Sequence, residues 1–181
     1  MGTALTPLTV GTWNVDPSHS SVGFTARHLM VSKVRGTFTS FSGAVVVAEN
    51  PLESTVSASV DMASVNTGDA NRDGHLQSPD FFDVAQFPTM TFTTTSLEAD
   101  DDDYLLHGDL TIKGVTRPVT FELEFEGVAT DPWGNTKAGF SAEAEINRKE
   151  WGLEWNVALE AGGVLVGEKI KIQLDIQAVR A

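Results

Sequence analysis

The chain has 181 residues, 41% of them hydrophobic and 20% charged, with 25 Asp and Glu against 12 Lys and Arg, no cysteine and a formal net charge of −13. That composition suits one globular domain that rests on packing, with no disulfide framework and no thiol chemistry. The acidic balance argues against a sequence-independent grip on nucleic acid or anionic lipid, and no apolar run is long enough for a membrane span, so neither a nucleic-acid partner nor stable membrane insertion is expected.

Residues 1–11 read as a flexible leader to a domain spanning 12–181. Gly2 followed by Thr6 fits the loose myristoylation pattern, but nothing nearby supplies the second signal that stable anchoring takes. No basic n-region or apolar h-region is visible, which makes the cytoplasm the default location, with the periplasm or secretion as the reading if a signal was removed.

Period-two alternation and turn residues then predict eight strands, near 11–27, 35–49, 53–62, 89–97, 104–113, 118–127, 136–147 and 168–179. The first is broken at Asp16-Pro17 and resumes with Val22, Phe24 and Ala26. Between the third and fourth lies an irregular stretch, Asn66 to Pro88. There Ser78-Pro79-Asp80 reads as an N-cap with proline at the first helical position, and Asn71 to Leu76 as a further helical turn. Asp100 to Asp103 reads as a solvated hairpin tip, since four adjacent carboxylates lack the alternating spacing of a calcium loop.

The sixth strand sets Val119, Phe121, Leu123 and Phe125 against Thr120, Glu122, Glu124 and Glu126. In the last, Ile170, Ile172, Leu174 and Ile176 alternate with Lys169, Lys171, Gln173 and Asp175. One face is dry and the other wet, the pattern of an antiparallel sheet closed or sandwiched around an apolar inside. A second irregular stretch, Arg148 to Gly163, carries Trp151 and Trp155 and is a candidate cover for one barrel end.

The seventh strand puts Ala138, Phe140, Ala142, Ala144 and Ile146 on its inner side, and three alanines there leave space. Either large residues such as Phe24, Phe38, Phe121 and the tryptophans fill that space as a solid core, or an elongated cavity persists for a long apolar ligand. Periodicity admits both. His19, His28, His75 and His107 are spread singly, without metal-ligand spacing, and no nucleophile elbow or phosphate-cradling loop accompanies them, so no metal and no cofactor is expected.

Five segments carry a resemblance: WNVDPSHSSVGFTARHLMVSKVRGTFTSFSG from Trp13, RDGHLQSPDFFDVAQFPTMTF from Arg72, GDLTIKGVTRPVTF from Gly108, NRKEWGL from Asn147 and VGEKIKIQL from Val166. In that order they resemble the YceI-like, lipocalin-like polyisoprenoid-binding proteins over nearly the whole chain after the leader. The resemblance implies an all-β fold, an extended eight-stranded antiparallel lipocalin-like barrel with one or two short helices covering an end. It also implies an apolar channel holding a polyisoprenoid chain such as a quinone or prenyl-phenol tail, and no catalysis. Many members of that family are periplasmic.

Carried over by position, the candidate ligand contacts are His28 and Met30 in the HLM triplet, Phe38, His75, a gate of Phe81, Phe82 and Phe87, Phe140, Arg148 and Trp151. Several have a plainer alternative. His28 caps a turn, the three phenylalanines pack helix to barrel, Trp13 plugs the barrel bottom, and Arg148 pairs with Asp80 or Asp83. The partner expected is a long-chain isoprenoid lipid, with a homodimer left open. Against the carrier stand a lipid-modifying enzyme working through His28 or His75 and a packed, stress-linked scaffold without ligand.

Overall fold

The computed structural model describes residues 8–29, 31–156 and 166–181. The strands are β1 (Gly11–Val15), β2 (Ser21–His28), β3 (Ser32–Phe38), β4 (Phe41–Val47), β5 (Thr55–Asp61), β6 (Val65–Asn66), β7 (Thr89–Asp100), β8 (Asp103–Ile112), β9 (Val115–Thr130), β10 (Thr136–Asn147) and β11 (Val166–Arg180), with one α-helix, α1 (Ala70–Gln77). Every pairing is antiparallel. The wall runs β1-β4-β5-β7-β8-β9-β10-β11 and closes on itself where Trp13 faces Arg180 and Val15 faces Ala178. The fold is thus a closed eight-stranded barrel.

Three of the eight wall positions are broken, which accounts for the eleven separate strands. Pro17 and the Asp16 carboxylate, which accepts from the Ser18 N–H, wind residues 17–19 into a 3-10 turn between β1 and β2. Beyond it β2 pairs with the upper part of β11, from Ile170↔Ala26 to Asp175↔Ser21. The expected strand 35–49 divides at Thr39 and Ser40, where Thr39 N–H donates to Ser64 O and Asp61 N–H donates to Ser40 O. Strand β4 therefore pairs with β5, while β3 pairs with the short β6 beyond a 3-10 turn at Met62–Ser64.

The irregular stretch follows its sequence reading in part. The helical turn expected at Asn71 to Leu76 is present as α1, whereas the helix expected to start at Ser78-Pro79-Asp80 is not: Asp69 caps the N-terminus of α1 by accepting from the N–H groups of Asn71 and Arg72, and Ser78 is its C-cap. The Ser78 hydroxyl donates to His75 O and accepts from the Asp80 N–H as an N-cap would, but no helix follows, because the Phe82 and Val84 N–H groups turn back to Leu76 O and Gln77 O. Residues 79–87 continue as turns, with Asp83 at φ +49°.

Two apolar clusters fill the barrel. The lower one joins Leu8, Trp13, Val47, Phe125, Phe140, Ala138 and Ala178 and closes that end. Trp13 is 1% exposed and donates from Nε1 to Thr9 O, so it plugs the bottom, and Leu8 is already packed against the barrel ahead of residue 12. The larger cluster runs upward through Phe92, Leu106, Leu110, Phe121 and Ala142 to Trp151 and Leu153 beneath the helix end. No helix among the described residues is long and apolar enough to cross a membrane.

Candidate functional site

Because inward residues on every strand are apolar and several are small, the clusters leave space between them. A lower cavity of about 170 Å³ is lined by Val45, Val56, Ala58, Leu123, Phe140 and Ala142 among others. An upper cavity of about 500 Å³ is lined by Phe24, Ala26, Val34, Phe38, Phe82 and Ile170 among others. Val22, Met90 and Ile172 line both, so the two lie end to end inside the barrel with these three side chains at their junction. A mainly apolar space of this size accepts apolar molecules.

The lower segment has only hydroxyl residues such as Ser42, Ser57 and Ser141 as polar members of its lining, and charged and imidazole side chains are confined to the helix end. There Arg27, His28, Asp69, Asn71, Arg72, His75 and Arg148 join the lining. The Arg72 Nε donates to Thr67 Oγ1 at 2.8 Å and its Nη2 to Thr67 O at 2.9 Å, which fixes that side chain along the helix. The His75 ring lies edge-on to Phe81 and Trp155, with centroids 5.1 and 4.5 Å away, and its Nε2 stands 2.9 Å from Asp80 Oδ2. An imidazole between two aromatic rings and a carboxylate is held in one orientation at the rim.

Arg148 is 3% exposed and does not pair with Asp80 or Asp83. Its Nε donates to Gly167 O at 2.9 Å, Nη2 to Val166 O at 3.2 Å and Nη1 to Leu153 O, tying the end of β10 to the start of β11. Its guanidinium carbon also lies 5.9 Å from the Phe81 ring centre. Burial pulls the guanidinium below its ordinary pKa, with Glu168 opposing the shift. Among the described residues its hydrogen bonds all go to backbone carbonyls.

Of the residues singled out from sequence, His28, Phe38, His75, Phe81, Phe82 and Arg148 line the upper segment and Phe140 the lower. Two are placed elsewhere. Trp151 is 1% exposed and donates from Nε1 to Leu110 O at 2.9 Å, a core anchor outside both linings. Phe87, also outside them, packs its ring over Gly114, where an added Cβ would meet Cε1 at 2.8 Å. Met30 lies outside the described residues, as does Gly2. Sequence reasoning missed Arg27, Asp69, Asn71 and Arg72 at the rim. The helix start that gathers the last three had a legible signal in the Asp69 N-cap.

A hydroxyl, an imidazole and a carboxylate do line up elsewhere. Thr120 Oγ1 is 2.7 Å from His107 Nδ1, and His107 Nε2 is 2.6 Å from Glu98 Oε1. The three sit on neighbouring strands β9, β8 and β7 with their side chains outside the channel lining, and they act as a cross-strand polar ladder. At His75, by contrast, no hydroxyl bonds the ring among the described residues.

Comparison with known proteins gives a consistent picture. A family model for the YceI-like domain matches residues 13–178. Protein YceI of Escherichia coli O17:K52:H18 is 43% identical over 137 residues, covering 75% of this chain and 72% of the relative. The crystal structure of a Campylobacter jejuni YceI protein superposes with a TM-score of 0.71 at 30% identity, covering 86% of this chain and 90% of that one. A polyisoprenoid-binding domain from Saccharophagus degradans, implicated in plant cell wall breakdown, shares the fold with a TM-score of 0.71 at 15% identity, covering 96% and 100% of the two chains.

Proposed function

The chain belongs to the YceI-like family, and from that membership together with its channel we propose that it is a non-catalytic carrier of a long-chain polyisoprenoid, of the quinone or prenyl-phenol type. The observation that supports this most is the end-to-end placement of two mainly apolar cavities, about 500 and 170 Å³, behind a mouth that alone carries charged side chains. A long tail with one polar end fits that distribution. The name of the Saccharophagus domain points to the same class of ligand.

Phe38 and Phe82 flank the tail in the upper segment and Phe140 meets its far end. His28 and His75 stand where a phenolic or quinone oxygen comes to rest. Phe81 braces His75 on one side. Arg148, with its donors given to carbonyls, shapes the mouth instead of gripping the head. Burying one five-carbon isoprene unit is worth up to about 4 kcal/mol at roughly 0.8 kcal/mol per CH₂, before ordering costs. Tail length therefore governs affinity and head chemistry governs direction.

The test is a titration of prenyl-phenols sharing one head and differing in tail length. Affinity is expected to climb with each unit until the channel is full. Equal affinity for short and long tails would remove the proposal's basis. The enzymatic alternative draws some support from the His75–Asp80 contact, and it requires His75→Ala to abolish turnover of a lipid while leaving lipid binding in place.

A further inference from the structure

The acidic balance of the whole chain hides a local reversal. Residues 17–48 contain no Asp or Glu, yet they hold Arg27, Lys33 and Arg35. The register places these three on one patch: Arg27 faces Lys33 across β2 and β3, and Arg35 faces Thr25 beside them. All three are exposed, alternating with inward Ala26 and Val34 of the channel lining. Among the described residues none makes an ion pair or a side-chain hydrogen bond, whereas Lys149, Lys169 and Lys171 each have a glutamate within 3.8 Å.

The tip of the same hairpin is apolar and uncovered. Val31 is 83% exposed and Leu29 42%. His28, next to that tip, lines the channel mouth. At the opposite, closed end the turns carry Asp100 to Asp103 and Asp131. Although Asp69 and Asp80 also stand at the rim, the hairpin and the turns of the closed end thus carry opposite charge. Near a negative surface the closed end is repelled and the hairpin attracted, so the mouth is presented first.

We propose that the β2–β3 hairpin docks the channel mouth on an anionic membrane surface, with Arg27, Lys33 and Arg35 facing the headgroups and Leu29 and Val31 entering the interface. Choosing a membrane over an acidic protein as the occupant rests on the carrier reading, because a lipid cargo must leave and enter a bilayer at this end. Three cations and two aliphatic side chains give weak, salt-sensitive and reversible attachment. Such attachment suits a carrier that unloads and departs.

The experiment is flotation of the full-length protein with vesicles of phosphatidylcholine alone and of three parts phosphatidylcholine to one part phosphatidylglycerol. Binding is expected only to the mixed vesicles and is expected to fade in roughly 0.5 M salt, where the screening length shrinks to several ångströms. Lys33→Gln/Arg35→Gln is expected to weaken it about 25-fold, at roughly fivefold per cation. Val31→Ser is expected to weaken it at unchanged charge. Neither variant touches the channel lining, and unchanged unfolding midpoints will show that both are folded. Absence of binding, equal binding to neutral vesicles, indifference to both variants, or attachment through this patch to an acidic protein in place of vesicles would overturn the proposal. Lipid content is measured separately by extraction. A loaded protein that ignores vesicles overturns docking and leaves the carrier reading intact, whereas an empty protein that docks through these cations does the reverse.

Discussion

Ala142→Leu addresses the channel directly. Ala142 lines the lower segment and sits in register with Leu123 on one side and Leu174 on the other. An unfilled apolar space of about 170 Å³ costs about 4 kcal/mol at roughly 24 cal/mol per Å³. Whatever fills the space, ligand or side chain, recovers part of that. The three carbons that leucine adds recover about 2 kcal/mol at roughly 0.8 kcal/mol each. The ligand-free variant is therefore expected to be more stable by up to about 2 kcal/mol in urea denaturation. A tail long enough to reach the lower segment should lose a similar amount, about 30-fold in affinity.

A tail ending in the upper segment, above the shared Val22, Met90 and Ile172, should be unaffected within about threefold, the ordinary scatter between distant sites. The assay is competitive displacement of a fluorescent polyene by a two-unit and by an eight-unit prenyl-phenol. If both weaken alike, or neither does, the lower segment is not part of the binding channel. If the variant is destabilised by more than about 1 kcal/mol, the space is not open at Ala142.

Other consequences can be measured on the same protein. Phe125, fully buried in the lower cluster, should cost about 3–5 kcal/mol when replaced by alanine, seen as an earlier urea midpoint. Arg148→Met takes its donors away from Gly167 O and Leu153 O and leaves Val166 O with Asn156 Nδ2 alone, and should destabilise by about 2 kcal/mol. Arg148→Lys should rescue little of it, since a point ammonium cannot reproduce the fork. The Asp16 carboxyl is held down to about 2 by hydrogen bonds from Ser18 and then His19. With its folded pKa below the unfolded one, its stabilisation is present above about pH 4 and is lost as pH falls toward 2. Asp16→Asn should flatten the acid limb of a stability–pH curve over that window and leave the neutral region's slope unchanged.

The wall was legible because its inner face is written at every second residue. Val119, Phe121 and Phe125 and the alternating run from Ala138 to Ile146 are buried as the period dictates, and the strand read at 136–147 has those bounds in the structure. The breaks were less legible. Only Pro17 announced one, whereas the division at Thr39 and Ser40 depends on backbone bonds to Ser64 and Asp61, remote in sequence. Ser78-Pro79-Asp80 misled for a local reason: the Ser78 hydroxyl does accept from the Asp80 N–H, but the Phe82 and Val84 N–H groups bond back to Leu76 O and Gln77 O and no helix follows. At the candidate site, sequence cannot tell which rings of the irregular stretch face a void. Phe81 and Phe82 line it while Phe87 covers Gly114. The net charge of −13 likewise concealed the carboxylate-free run from Pro17 to Ala48.

The most direct measurement of the central claim is native mass spectrometry of the protein purified gently from its own host, beside organic extraction and mass analysis of whatever it holds. The expected result is a mass shift corresponding to about one long-chain isoprenoid per chain, lost on extraction and restored by adding the same lipid. An empty protein that also fails to take up quinones or prenyl-phenols would contradict it and leave a barrel that carries nothing.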